Sequence, residues 1–163
     1  MPDKAVDKDP GATPELWADG ATIETWSPEE TRAFGAAVAS RLSAGDFVAL
    51  DGDLASGKTC LVQGMAAGLG YQGRVTSPTF TLLHLYEGGR LPLYHFDVYR
   101  LKAPAELEGL GYEDYFYGDG VCVVEWSSLT EEYLPSRRVR LFLERIFDGD
   151  GGEGRRITLT CYA

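Results

Sequence analysis

The sequence is short of several things, and each shortage excludes something. Cysteine occurs only at Cys60, Cys122 and Cys161, far apart and in odd number. That excludes a disulfide framework or a paired-thiol zinc site and fits a reducing cytosol. Basic residues are few: 15 Lys+Arg face 25 Asp+Glu, a net charge of −10. Such a chain lacks the cationic surface that a phosphate backbone demands, so direct, stable nucleic-acid binding is not expected. The two histidines, His84 and His95, are too isolated to suggest a metal pair, and each is expected to be a strand residue with a local hydrogen bond. No apolar run approaches the ~18–20 residues of a membrane helix. The start, Met1-Pro2-Asp3-Lys4, has no apolar core of a signal peptide.

What remains is ordinary globular material: 163 residues, 44% hydrophobic and 25% charged, which fits one domain. Residues 1–20 are rich in proline and aspartate without apolar periodicity and read as a flexible tail. The domain is expected over 21–163. Its first element is a short strand at 21–26, and Ser27-Pro28-Glu29-Glu30 opens a helix with an N-cap serine, a first-turn proline and acids at the positive dipole end. Phe34, Val38 and Leu42 form its buried stripe, and Gly45 is expected to close it. A strand at 46–50, a helix from about Lys58 to Leu69, strands at 79–86 and 91–99, and the very apolar Val121–Val124 follow. Residues 104–109 and 112–116 read as short helices. Alternation at 138–147 and 155–161 predicts a closing antiparallel pair, and Arg137, Arg138 and Arg140 read as its solvated edge. The order predicts an α/β fold, a three-layer sandwich with a mostly parallel central sheet and antiparallel edge strands.

One motif stands out. Gly52-Asp53-Leu54-Ala55-Ser56-Gly57-Lys58-Thr59 fits GxxxxGK[ST], lying between an apolar strand and a helix. The glycines let the backbone curl so that successive N–H groups face an anion. The following helix adds the positive end of its dipole. Lys58 is expected to reach the outer phosphates of a nucleotide, and Thr59 to bind Mg²⁺. In a chain of this composition the pattern arises by chance in roughly 0.7% of cases. It is read as a P-loop.

Such a loop works with a carboxylate at the end of a neighbouring strand. Glu125, after four apolar residues, has the better Walker-B-like pattern. Asp97, in an alternating segment, could equally face solvent. Trp126 either caps the sheet or flanks a nucleotide, and periodicity does not separate the two. Thr76-Ser77-Pro78-Thr79 gathers three hydroxyls between a helix and a strand. It is either a loop that senses the terminal phosphate or a capped turn.

Together, GDLASGKT, SPTF, HFDVYRL and VVEW, in this order and at these distances, resemble the TsaE (YjeE) ATPases, small P-loop proteins of tRNA threonylcarbamoyladenosine modification. The resemblance runs from about Trp26 to Thr160. It departs at Ala55-Ser56, where the family commonly has Gly-Ala, and at Ser127-Ser128. It implies that residues from Gly52 to Cys60 and the Ser77 and Thr79 switch segment surround ATP, with Trp126 beside the nucleotide. Thr59 and Glu125 would hold Mg²⁺, with Lys58, Asp97 and Glu125 as the catalytic set. The helix entry near Ser27 and the edge residue Arg155 would touch base or ribose. The implied activity is Mg²⁺-dependent ATP hydrolysis, slow alone because no arginine finger is evident (Arg100 is the nearest candidate). Its implied partners are TsaD and TsaB, with no stable hold on tRNA itself and no membrane association, in the cytoplasm. Two alternatives share the loop: a small kinase acting on a nucleoside or metabolite, and a nucleotide-gated binding module.

Overall fold

The computed structural model describes residues 18–53 and 55–162. Its strands are β1 (Thr22–Thr25), β2 (Phe47–Gly52), β3 (Leu83–Tyr86), β4 (Leu93–Asp97), β5 (Val121–Glu125), β6 (Arg138–Phe147) and β7 (Glu153–Tyr162). The helices are α1 (Pro28–Ser40), α2 (Lys58–Gly68) and α3 (Glu113–Phe116), with 3₁₀ segments at Pro104–Leu110 and Ser127–Tyr133. One seven-stranded sheet has the order β1-β7-β6-β2-β5-β4-β3. β6, β2, β5 and β4 run parallel, while β1, β7 and β3 add antiparallel edges. Every residue of β2, β4 and β5 is buried, as expected for parallel strands covered on both faces.

Alternation sorts the strands between two cores. Val48, Leu50, Val121 and Val123 pack under α1 and α2 with Phe34, Val38, Leu61 and Met65. Phe47, Ala49, Cys122 and Val124 face the other way, under Leu107 and Phe116. This makes the three layers. Residues 1–17 of the expected tail lie outside the described residues, whereas Ala18–Gly20 form a turn against β7, with Gly20 N–H donating to Leu159 O (2.8 Å).

Ser27 caps α1 as its sequence implies, its Oγ accepting from Glu30 N–H at 3.1 Å. The helix ends earlier than expected, at Ser40, and Gly45 (φ +91°) instead turns the chain into β2. The strand expected at 79–86 begins only at Leu83, because Leu82 (φ +72°) closes a turn by donating its N–H to Pro78 O at 2.7 Å. The basic cluster also differs from a solvated edge. Arg140 pairs with buried Asp51 at 2.9 Å, and Arg138 binds Glu131 and stacks on Tyr162, leaving Arg137 as the exposed member. Among the described residues no helix is long and apolar enough to cross a membrane.

α1 and α2 cross at glycines. A Cβ on Gly64 would sit 2.0 Å from the Arg32 carbonyl oxygen, and one on Gly35 would sit 2.3 Å from that of Leu61. Backbone meets backbone there, so even a methyl group has no room. Gly64→Ala is expected to cost about 3 kcal/mol or more in thermal or urea unfolding. Gly109→Ala, where nothing lies within 4 Å, is the matched control and should stay near wild type.

Candidate active site

The site lies where β2, β5 and β4 end together. Asp97 and Glu125 are register partners on adjacent parallel strands, and Leu50 of β2 pairs with Glu125. The chain leaves β2 through Gly52 (φ +148°), where a Cβ would meet Leu143 O at 2.5 Å. It enters α2 through Gly57 (φ +101°). Both positions need glycine, one for space and both for conformation. Ala55 between them also holds a left-handed backbone (φ +61°), a conformation that costs a residue with a Cβ about 1–2 kcal/mol. Leu54 lies outside the described residues.

Lys58 follows the turn and bends back over it. Its Nζ donates to Gly52 O (2.6 Å), Asp53 O (2.9 Å) and Ser56 Oγ (3.4 Å), and lies 4.1 Å from the centre of a Trp126 ring. Burial pushes this ammonium below the usual lysine range, against the opposing pull of Glu125, Asp97, Asp51 and Asp53. Trp126 has a left-handed backbone (φ +62°), and its ring stacks near Tyr99 at 4.6 Å. This places it over the loop lysine on one side while it packs, half-buried, against the second core.

Both candidate acids are buried: Asp97 is 2% and Glu125 3% exposed. Asp97, which the sequence left free to face solvent, points inward. Its Oδ2 accepts from Thr79 Oγ1 (2.9 Å) and Ser77 Oγ (3.4 Å), and its Oδ1 from Tyr99 N–H (2.9 Å). One Glu125 oxygen accepts from His95 Nε2 at 2.5 Å. A cavity of about 420 Å³ is lined by residues 55–60, Ser77, Thr79, Asp97, Glu125, Trp126 and Arg155. Gly52 and Asp53 are not on its wall; they hold Lys58 through their carbonyls. A second cavity of about 290 Å³ adjoins it through Gly57, Cys60 and Arg155, and Trp26 and Ser27 reach it from the entry to α1.

Arg155 spans the two cavities. Its Nη2 donates to Ala55 O (3.0 Å) and its Nη1 to Gly154 O and Glu153 Oε2 (both 2.9 Å). Its Nε is buried without a hydrogen-bond partner among the described residues, over Gly57. Arg100 instead stacks on exposed Phe80 at 4.3 Å and does not line the cavity. Cys60 donates from Sγ to Pro28 O (3.3 Å), and burial raises its thiol above the ordinary range.

The residues present fit a nucleotide phosphate with Mg²⁺. A glycine-flanked loop opens a helix, a lysine and an orphaned guanidinium nitrogen flank it, and the hydroxyl and carboxylate donors beside it are the hard oxygens that Mg²⁺ prefers.

Known proteins resemble this chain over most of its length. The family model for threonylcarbamoyl adenosine biosynthesis protein TsaE matches residues 25–154. The chain belongs to the TsaE family. It is 46% identical over 136 residues to the tRNA threonylcarbamoyladenosine biosynthesis protein TsaE of Bacillus subtilis strain 168, covering 83% of this chain and 82% of that one. It is likewise 46% identical over 124 residues to the TsaE of Treponema pallidum, covering 76% and 91%. The crystal structure of YdiB from Bacillus subtilis superposes with a TM-score of 0.76 at 40% identity, over 89% of this chain and 87% of that one. The TsaE resemblance read from the four motifs is thereby established, and with it the α/β P-loop fold.

Sequence reasoning missed two sets of residues at this TsaE-type site. His95 is the strand residue the sequence predicts, but its hydrogen bond is not local: it goes to Glu125, 30 residues away. It lies two residues before Asp97 and so on the same face of β4, a signal that strand alternation carries. Asp51 has no local sequence signal of a role. Its carboxylate accepts from Ser127 Oγ (2.7 Å), Ser128 N–H (3.0 Å) and Arg140 Nε (2.9 Å), fixing the turn that holds Trp126.

Ala55→Gly should relieve the left-handed strain and raise stability by up to about 1 kcal/mol; the urea midpoint reads this.

Proposed function

We propose that this protein is an ATP hydrolase serving the threonylcarbamoyladenosine modification of tRNA. The observation that carries the reading is the convergence of Lys58, Thr59, Asp97, Glu125 and Trp126 on one P-loop cavity of about 420 Å³. The printed names of the TsaE relatives supply the pathway.

In this reading the loop amides and Lys58 gather the phosphates, drawing the ammonium from the Gly52 and Asp53 carbonyls. Thr59 and Glu125 hold Mg²⁺, which when bound neutralises charge building on the phosphates. Asp97 orients water through the oxygen it now shares with Ser77 and Thr79, so those hydroxyls register the terminal phosphate. Trp126 flanks the nucleotide, and the adjoining cavity, with Trp26, Ser27 and Arg155, takes ribose and base. Catalysis then rests on positioning and charge.

Arg155 is engaged with Ala55, Glu153 and Gly154, and Arg100 stacks on Phe80. Neither is poised as an arginine finger, so turnover alone is slow. The partners that raise it are TsaD and TsaB, with hydrolysis resetting their complex. At a net charge of −10 this chain drives those proteins rather than gripping the tRNA.

Lys58→Ala is expected to abolish ATP binding and turnover, and Asp97→Asn to lower turnover about 10²-fold with nucleotide binding kept. Calorimetric titration and phosphate release measure the two. Retained turnover in Lys58→Ala would falsify the site assignment.

Phosphate release by the wild type should rise when purified TsaD and TsaB are added together. An unchanged rate removes the partner reading. Phosphorylated acceptor in place of free phosphate would favour a kinase.

A further inference from the structure

We infer that His95 and Tyr86 are positioning residues that hold the Glu125 carboxylate and tie it to the backbone of the 76–79 segment. The inference deepens the ATPase reading and rests on it. His95 is completely buried, and its two ring nitrogens face different partners. Nε2 donates to Glu125, while Nδ1 lies 3.5 Å from the Tyr86 hydroxyl. That hydroxyl donates to Thr76 O at 3.0 Å, and His84 Nδ1 lies 3.2 Å from both oxygens.

The chain of contacts therefore begins at an acid of the site and ends where the hydroxyl segment starts. The same segment closes on the second acid through Ser77 and Thr79, which donate to Asp97. Asp97 is the register partner of Glu125. One end of the 76–79 segment is thus bonded directly to Asp97, and the other is held by the Tyr86 hydroxyl, which donates to Thr76 O and lies against His95, the partner of Glu125, at 3.5 Å.

Packing alone does not account for an imidazole here. The neighbours of His95 across the strands are Val123 and His84, and a leucine would fill the same space but leave the buried Glu125 oxygen without the donor that His95 supplies. Burying an imidazole is costly unless its nitrogens are bonded. Here the bond goes to a carboxylate of the site. A ring held from behind sets the direction of the carboxylate it binds, as outer partners do for metal ligands generally.

The test titrates Mg²⁺ against binding of a fluorescent ATP analogue, alongside the Mg²⁺-free affinity, thermal unfolding and amide exchange at Thr76, Ser77 and Thr79. Wild type, His95→Leu, His95→Gln and Tyr86→Phe are compared. His95→Leu is expected to raise the Mg²⁺ midpoint by about 10–100-fold, with Mg²⁺-free affinity within about twofold. His95→Gln, whose amide can still donate to Glu125, should recover most of the loss. Tyr86→Phe should shift the midpoint in the same direction by a smaller factor and speed exchange across 76–79.

Should His95→Leu fail to fold, Tyr86→Phe decides, since it removes a single hydroxyl. Unchanged midpoints in the folded variants, or parallel losses of melting temperature and of Mg²⁺-free affinity, overturn the positioning role while leaving the ATPase reading intact. A wild type without Mg²⁺-dependent binding defeats that reading itself, and the positioning role with it.

Discussion

Three carboxylates buried at the same edge of a parallel sheet govern the rest of this molecule. Asp51, Asp97 and Glu125 are each 3% exposed or less, and a buried carboxylate is costly unless donors surround it. Each therefore recruits its own. Asp51 takes Ser127, the Ser128 amide and Arg140; Asp97 takes Ser77, Thr79 and the Tyr99 amide; Glu125 takes His95. The loops after α2 and after β5 have their shapes because these acids need satisfying. Lys58 lies among them, its charge favoured by the same acids and disfavoured by burial.

The phosphate loop is mounted on something stiff. α2 begins at Lys58, and its glycines abut α1 so closely that the two helices share backbone contact. Cys60 donating to Pro28 O and Arg32 reaching Gln63 Oε1 (3.5 Å) add polar links across the same seam. The first turn of α2 is thus held in place by α1, and N–H groups fixed in advance are those that stabilise charge most effectively. The 76–82 turns lie outside this seam and carry Phe80, which is 80% exposed under the Arg100 guanidinium.

Much of this was legible in the sequence because it is local. Glycine spacing, an N-cap serine followed by proline, and a run such as Val121–Val124 each announce their conformation within a few residues. The two acids were legible as strand-end carboxylates. What stayed hidden depends on contacts across long stretches of chain: Asp51 meets Ser127 at a separation of 76 residues and Arg140 at 89. The Arg138–Arg140 region misled for that reason, since a basic run reads as solvated until the buried acid that captures it is known. The late start of β3 escaped because Leu82 adopts a left-handed turn that an apolar side chain does not advertise.

β4 carries a consequence for the reliability of folding. Leu93, His95 and Asp97 share one face, and Tyr94, Phe96 and Val98 pack on the other. A slip of one residue against β5 would turn His95 and Asp97 into the second core and bring Tyr94 and Phe96 toward the phosphate loop. The misaligned strand would bury two unsatisfied polar groups and dismantle the site in the same stroke. Correct assembly and chemical competence are thus read by the same residues, and a chain that mispairs here has no partially working state in which to persist.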